Sequence, residues 1–130
     1  MVIDTSAMIA IMLQEPVAER LIAAVDADHP RLVSAATVVE VTLVILGRFG
    51  EAGESQIDRL LKSIGAKVVP VGEAQVAFAR DAALRFGRGR HPAGLNFGDC
   101  FSYALSIESG EPLLFVGDDF TKTDVEVSPW

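Results

Sequence analysis

The chain has one cysteine, no apolar run of membrane length and no excess of positive charge. The lone Cys100 excludes an internal disulfide bond and fits a reducing compartment. The apolar runs are shorter than the roughly 18 residues of a membrane span, and the N-terminus lacks the basic segment of a signal peptide. We therefore expect a cytoplasmic protein without membrane contacts. The net charge of −7 argues against non-specific binding to long nucleic-acid duplexes.

Apolar residues are abundant. They make up half of the 130 residues, and a chain of this length can bury one core of its own. We expect one domain over residues 1–130, with surplus apolar surface that a partner protein or a homodimer interface would cover. The predicted helix Thr37–Phe49 carries more apolar residues than one buried stripe needs, so it is the first candidate for such a contact.

Short apolar segments alternate with helical patterns along the chain. The predicted strands are Val2–Ile3, Leu32–Val33, Lys67–Val69, Leu113–Val116 and an edge strand at Val125–Val127. The predicted helices are Thr5–Leu13, Val17–Ala27, Thr37–Phe49, Glu54–Ile64, Gly72–Phe86 and Phe97–Ser109. This alternation predicts an α/β fold of three layers, in which helices cover both faces of a short, mostly parallel sheet of four or five strands.

Acidic residues stand near the ends of the apolar segments. Asp4 and the pair Asp118–Asp119 follow predicted strands, while Glu40 and Asp99 lie near the starts of predicted helices. In a parallel α/β sheet these positions share one edge. Carboxylates that meet there repel one another and raise one another's pKa values, which a bound cation would offset. Oxygen ligands favour Mg²⁺ or Mn²⁺ over zinc.

Each acid also has a purely structural explanation. The candidate motifs are a capping box at Thr37–Glu40, a weaker one at Asn96–Asp99, a helix cap at Asp4 and a turn at Asp118–Asp119. A catalytically silent α/β binding domain, whose acids are helix caps, is therefore one alternative. Capping alone stabilises negative charge at a helix start by only about 0.3–1 kcal/mol per site, which is too little to hold several carboxylates together.

Other reaction classes fit the residues less well. Ser6 and Ser34 lack a histidine partner for a serine triad, and the chain has no GxxxxGK[ST] loop for a nucleotide. A phosphoaspartyl-type phosphatase is a further alternative, but it would want a second aspartate at the position of Ser6. A phospho-acceptor signalling domain would want paired acids where only Asp4 stands.

Basic side chains gather in a glycine-rich stretch before the last helix. No acid occurs between Asp81 and Asp99, whereas Arg85, Arg88 and Arg90 fall inside that stretch. A basic loop on an acidic body is compatible with contacts to a few phosphate groups. Glycines in the loop would let backbone amides approach those phosphates as well.

Four segments together resemble the PIN-domain ribonucleases, and most closely the VapC toxins of bacterial toxin–antitoxin pairs. They are Val2–Ala7, Glu40 in the third helix, Asn96–Cys100 and Gly117–Phe120. The resemblance covers essentially the whole chain in order. It implies a metal-dependent endoribonuclease toxin that acts on RNA, forms a homodimer and is neutralised by a cognate VapB-type antitoxin.

The resemblance also implies roles for individual residues. Four acids would bind Mg²⁺, or Mn²⁺ in its place, and act in catalysis: Asp4, Glu40, Asp99 and Asp119. Asp118 is the alternative fourth acid, because Gly117-Asp118 departs from the usual threonine-containing motif, and Asp124 is a remoter candidate. Ser6 matches a hydroxyl that supports the first aspartate.

The expected reaction is metal-assisted hydrolysis of an RNA phosphodiester. Glu40 would bind the metal directly or deprotonate the attacking water. Arg85, Arg88 and Arg90 would neutralise flanking phosphates. The antitoxin would silence the site by inserting a cationic side chain such as arginine among the carboxylates, since a guanidinium matches them in charge and shape.

Overall fold

The computed structural model describes the backbone of residues 1–130 and every side chain except that of Ala52. The strands are β1 (Val2–Ile3), β2 (Leu32–Ser34), β3 (Lys67–Val69) and β4 (Leu113–Leu114). The α-helices are α1 (Thr5–Met12), α2 (Ala18–Asp26), α3 (Ala35–Phe49), α4 (Glu54–Ser63), α5 (Glu73–Phe86) and α6 (Phe97–Ser109). Two 3₁₀ helices cover Gly50–Gly53 and Phe120–Lys122.

The four strands form one parallel sheet in the order β3-β2-β1-β4. The predicted α/β class and parallel sheet are thereby confirmed. The expected edge strand Val125–Val127 is reduced to a single parallel bridge between Leu113 and Val127. The chain winds outward from β1 to β3 and then returns to the other side of β1. The β1–β4 junction is therefore the switch point of the sheet, where such folds place their ligands.

Helices cover both faces of the sheet. Successive strand residues point to opposite faces, so the apolar strands present apolar side chains on both of them. Ile3, Val33 and Leu114 belong to a core shared with α1, α2, α3 and α4. Val2 and Leu113 belong to a second core shared with α5 and α6. The three layers predicted from the sequence follow directly from this alternation.

Helix α3 begins earlier than its predicted start at Thr37. Its N-cap is Ser34, whose side chain accepts a hydrogen bond from the backbone N–H of Ala36. The last residue of β2 thus caps α3, so the strand passes into the helix without a loop. In the part of the chain that the structure describes, no helix is both long and apolar enough to cross a membrane.

Candidate active site

A cleft of about 270 Å³ opens at the carboxyl edge of the sheet, beside the junction of β1 and β4. All four acids predicted as site residues line it: Asp4, Glu40, Asp99 and Asp119. The other lining residues are Thr5, Ser6, Ile9, Asn96, Phe115, Val116 and Phe120. Elements far apart in the sequence therefore bring the four carboxylates to one place.

Asp4 is the most buried of these acids, with only 2% of its surface exposed. It caps α1: its Oδ2 accepts hydrogen bonds from the Ser6 backbone N–H at 2.9 Å and from the Ser6 hydroxyl at 2.6 Å. The Ser6 Oγ also accepts from the Val116 backbone N–H at 3.0 Å, which ties this cap to the end of β4. Within the described residues, Asp4 Oδ1 is buried without any hydrogen-bond partner. A buried carboxylate oxygen in this state is costly unless a ligand satisfies it.

Glu40 does not cap its helix, so the predicted capping box at Thr37–Glu40 is wrong. Ser34 caps α3 instead, and the Thr37 hydroxyl is buried in a 3.2 Å hydrogen bond with the Ser102 hydroxyl of α6. The Glu40 carboxylate accepts a hydrogen bond from the Thr5 hydroxyl. Burial raises the pKa of Glu40, the Thr5 hydrogen bond opposes that rise, and the charge of Asp4 adds to it.

Asp99 combines a structural and an electrostatic role. It forms a capping box with Asn96: the Asn96 backbone N–H donates to Asp99 Oδ2 at 2.7 Å, and the Asp99 N–H donates to Asn96 Oδ1 at 3.1 Å. The pKa of Asp99 is raised to about 6: burial contributes most, the charges of Asp4, Glu40 and Asp119 add to the rise, and the Asn96 hydrogen bond opposes it. The capping box therefore fixes the orientation of a carboxylate that the neighbouring acids repel.

Asp118 and Asp119 face different surroundings. Asp118 is highly exposed, and its carboxylate pairs with the Lys122 ammonium at 3.1 Å. Asp119 lines the cleft, and its charge contributes to the raised pKa of Asp99. Of the two candidates for the fourth acid, the geometry favours Asp119.

The residues of the cleft suit a hard divalent cation, although they do not form a complete cage. Among the described residues, no group of three or more His, Cys, Asp or Glu side chains is arranged to hold a metal ion. Hydrogen bonds to Thr5 and Asn96 hold Glu40 and Asp99 in their present rotamers. Mg²⁺ usually keeps several waters and takes only one or two carboxylates together with substrate phosphates, so a full cage is not required. The unpartnered Oδ1 belongs to Asp4, which lines the cleft, so it is a candidate oxygen ligand for such a cation.

Comparison with known proteins identifies the family. A PIN domain family model matches residues 1–126. Ribonuclease VapC30 of Mycobacterium tuberculosis is 53% identical over 125 residues, which cover 96% of this chain and 95% of that protein. The chain belongs to the PIN domain family, within its VapC group. The resemblance found in the sequence motifs is thereby confirmed.

Solved structures share the fold of this PIN domain at low sequence identity. VapC20 of Mycobacterium tuberculosis, described as a sarcin-ricin loop cleaving toxin, matches with a TM-score of 0.77 and 17% identity over 98% of both chains. A chain of a toxin–antitoxin complex from Klebsiella pneumoniae matches with a TM-score of 0.71 and 18% identity, over 99% of this chain and 97% of that one. At these identities, the likeness concerns the fold.

Arg85 lies in an ion-pair cluster away from the acids of the PIN-domain cleft. Its guanidinium donates to Asp81 at 3.1 Å and to Asp124 at 2.6 Å. The Tyr103 hydroxyl donates to the other Asp124 oxygen at 2.9 Å. Because two carboxylates already neutralise Arg85, the expectation that it contacts phosphate is not supported by this geometry. The same contacts place Asp124 outside the acidic cleft.

Arg88 and Arg90 are exposed on the loop between α5 and α6. Arg88 also lines an apolar groove of about 560 Å³ between these helices, with Arg80 and Phe97. Phe97 is 80% exposed and packs edge-on against Phe101, with ring centroids 5.0 Å apart. Asn96 lines both this groove and the acidic cleft, so the two adjoin at that residue.

Two residues that the sequence reasoning did not select make contacts that join the elements around the PIN-domain cleft: Thr5 and Ser102. Thr5 holds Glu40, and Ser102 joins α6 to α3 through Thr37. Their place next to Asp4 and within the α6 start was visible in the sequence. Their partners lie 35 and 65 positions away in the chain, and only the fold reveals such pairings.

Proposed function

We propose that this VapC-group protein is an endoribonuclease that uses a divalent cation, Mg²⁺ or Mn²⁺, at the acidic cleft. The observation that carries the proposal is the buried, unpartnered Oδ1 of Asp4 beside two acids whose pKa values are raised. Like-charged groups held this close favour the binding of a cation. The cleft is also open enough to admit a phosphate group.

The residues of the cleft would divide the work. Asp4 and Asp99 would bind the cation, Glu40 would bind it directly or through the water that it deprotonates, and Asp119 at the rim would be a further ligand. A bound divalent cation supplies Lewis-acid chemistry, because it polarises phosphoryl oxygens and lowers the pKa of a water molecule. Glu40 would take the proton of the attacking water, since its raised pKa makes it a better base near neutral pH. Ser6 and Thr5 would keep the two buried carboxylates in place.

The RNA strand would run from the cleft past Asn96 into the groove between α5 and α6. Arg88 and Arg80 line this groove and would neutralise phosphates that flank the cleavage site, with Arg90 on the adjoining loop. Phe97 offers an exposed aromatic face at the junction, where an unstacked base would pack. Arg88 and Arg90 keep the phosphate contacts that were expected from the sequence, and Arg80 takes the place of Arg85.

The antitoxin would cover the exposed side of α3. Val39, Leu43, Leu46 and Phe49 leave large apolar surfaces open there, with Leu43 66% exposed. A second cavity of about 430 Å³ between α1 and the end of α3 adjoins this surface. Glu40 lies on the same helix, so a partner bound there can reach the acids with a cationic side chain. We expect Leu43→Asp to abolish co-purification with the antitoxin and to leave RNA cleavage intact.

A homodimer is part of the same proposal, with a cytoplasmic RNA as substrate. Light scattering of the purified chain tests the dimer directly. A monomer at all concentrations up to that of the cell would overturn it without touching the proposed chemistry.

The deciding experiment is cleavage of end-labelled total RNA by the purified chain. The reactions contain Mg²⁺, Mn²⁺ or EDTA, with Asp99→Asn in parallel. Discrete cleavage that requires metal and disappears in the variant supports the proposal. Asparagine keeps an oxygen that accepts the Asn96 bond, so the α6 cap persists and the loss reports on charge.

The alternative of a silent binding domain predicts a different result. Asp4 and Asp99 do cap helices, which is what that alternative requires. Glu40 caps nothing, and partial burial raises its pKa, which that alternative does not explain. If the chain shows no cleavage of any RNA and no affinity for Mn²⁺, the acids are structural and the enzyme assignment fails.

A further inference from the structure

Gly98 occupies an unusual place for a glycine. It lies in the first turn of α6, and its φ angle is outside the left-handed region that favours glycine. Alanine is a better helix former than glycine at such a position. The backbone conformation therefore gives no reason for a glycine at Gly98, and the reason must be space.

The space beside Gly98 is filled by Glu40. A Cβ atom built on Gly98 would overlap Oε1, Oε2 and Cδ of the Glu40 carboxylate. Gly98 itself is buried. The Glu40 carboxylate thus lies against the bare backbone of α6, between the Thr5 hydroxyl on one side and Gly98 on the other.

We propose that Gly98 is a positioning residue: its missing side chain makes the notch that admits the Glu40 carboxylate to the cleft. This inference rests on the proposed function, because it takes Glu40 to act there. Gly98 acts through Glu40 and need not touch RNA or metal. Any side chain at this position displaces the carboxylate from Thr5 and away from Asp4 and Asp99, while α6 itself loses nothing.

The substitution Gly98→Ala tests the proposal with a matched control. Gly47→Ala also replaces a helical glycine, in α3, where an added Cβ meets no atom within 4 Å. Both variants are compared with the unchanged chain for Mn²⁺ affinity by calorimetry, for RNA cleavage and for melting temperature. We expect Gly98→Ala to weaken Mn²⁺ binding about 10–100-fold, as when a group that orients a metal ligand is lost, and Gly47→Ala to leave it unchanged.

Combination with Glu40→Ala shows whether Gly98 acts through Glu40. With the carboxylate removed, the notch is empty and the added methyl group has room. We expect Gly98→Ala to weaken Mn²⁺ binding in the unchanged chain and to have no further effect in the Glu40→Ala background. A further loss in that background would overturn the proposal, and so would a Gly98→Ala variant that binds Mn²⁺ and cleaves RNA normally.

Failure of the inference and failure of the proposed function give different results. If Glu40→Ala itself binds Mn²⁺ and cleaves RNA like the unchanged chain, the role of Glu40 in the proposed function fails. If Glu40→Ala is impaired and Gly98→Ala is not, only the role of Gly98 fails. Should Gly98→Ala alone not fold, the double variant is compared with Glu40→Ala. Equal melting temperatures and Mn²⁺ affinities of those two support the proposal, and a lower value in the double variant overturns it.

Discussion

Two groups of acids in this domain differ in whether a cationic side chain balances their negative charge. At the cluster beside α5 and α6, Asp124 accepts hydrogen bonds from both Arg85 and Tyr103. At the cleft, the charge of Asp4 raises the pKa values of Glu40 and Asp99, and the lining residues that the structure describes include no lysine or arginine. Asp124 therefore has a cationic partner within the chain, whereas no cationic side chain among the described residues lines the cleft.

The pKa directions express this difference. Burial acts to raise the pKa of Asp124, but the hydrogen bonds from Arg85 and Tyr103 outweigh it and leave that pKa lowered. Burial likewise raises the pKa of Asp99, and the neighbouring acids raise it further, to about 6. Charged acids at the cleft therefore destabilise the fold, and the proposed cation would offset that cost.

The largest expected effect comes from Asp4→Asn, which breaks the cleft and spares the other cluster. We expect cleavage of RNA to fall by about 10²–10⁴-fold, the range that a positioned catalytic group contributes. Asparagine keeps one oxygen for the Ser6 hydrogen bonds, so α1 stays capped. Single-turnover cleavage of a labelled substrate measures the loss.

Asp124→Asn is the control for that experiment. It removes a carboxylate of the same kind from the paired cluster. We expect its cleavage rate to match that of the unchanged chain. Equal losses in the two variants would mean that cleavage reports on general stability and not on the cleft.

The next effect is stabilisation by metal. A ligand that binds only the folded chain adds about 2.7 kcal/mol at a concentration 100 times its Kd. We therefore expect Mg²⁺ or Mn²⁺ to raise the melting temperature of the unchanged chain and of Asp124→Asn, and to leave that of Asp4→Asn nearly unchanged. Thermal melts with metal and with EDTA give the comparison. A metal-induced rise that persists in Asp4→Asn would place the cation elsewhere.

The sequence was sufficient for the fold because its signals are local. Alternating apolar segments and helical stripes placed the four strands and the six α-helices to within a few residues, and the motifs pointed to the family. The predicted edge strand Val125–Val127 is only a single bridge, and the two 3₁₀ helices were not predicted. The start of α3 was missed because Ser34 ends a strand and caps a helix at once. Thr37 looked like the cap but lies buried against Ser102, which no local pattern could show.

The site was only partly predictable for a related reason. Asp4, Asp99 and Asp119 were found because they stand near strand ends or a helix start, and the sheet edge collects such positions. Glu40 lies in the second turn of α3 and was found as a lone acid in an apolar run and through the family resemblance. The ion pair of Arg85 could not be foreseen because its partner Asp124 is 39 residues away and pairs with it only through the fold. Gly98 drew no attention because its function is the space that it leaves for a distant glutamate.

The pH dependence of metal-free stability should have opposite signs for the two groups. Asp99 has an ordinary pKa of 3.8 and a folded value of about 6, so between these pH values the folded chain binds more protons than the unfolded chain. Stability then falls as pH rises through this window, and Glu40 acts in the same direction. The pKa of Asp124 is lowered, so its contribution is complete above its ordinary pKa of 3.8 and is lost as pH falls through the folded value.

Melting temperatures measured in EDTA from about pH 3 to about pH 8, a range chosen to cover both windows, check these signs. We expect Asp99→Asn to lose less stability than the unchanged chain as the pH rises from about 4 to about 6. Asp124→Asn should instead lose less stability than the unchanged chain when the pH falls below about 4. The reverse assignment of the two windows would contradict the contrast between the clusters.

The smallest expected effect is that of Tyr103→Phe, which removes one hydroxyl from the paired cluster. This hydroxyl donates to Asp124 at 2.9 Å, and Tyr103 is itself 2% exposed. A hydrogen bond to a charged group contributes about 1.5–3 kcal/mol, and we expect the lower end because Asp124 is half exposed and keeps its bond to Arg85. Urea unfolding measures the change, while Mn²⁺ affinity and cleavage should stay constant. Loss of Mn²⁺ affinity in this variant would show that the two groups of acids are coupled, and the division between a paired structural cluster and an open catalytic one would fail.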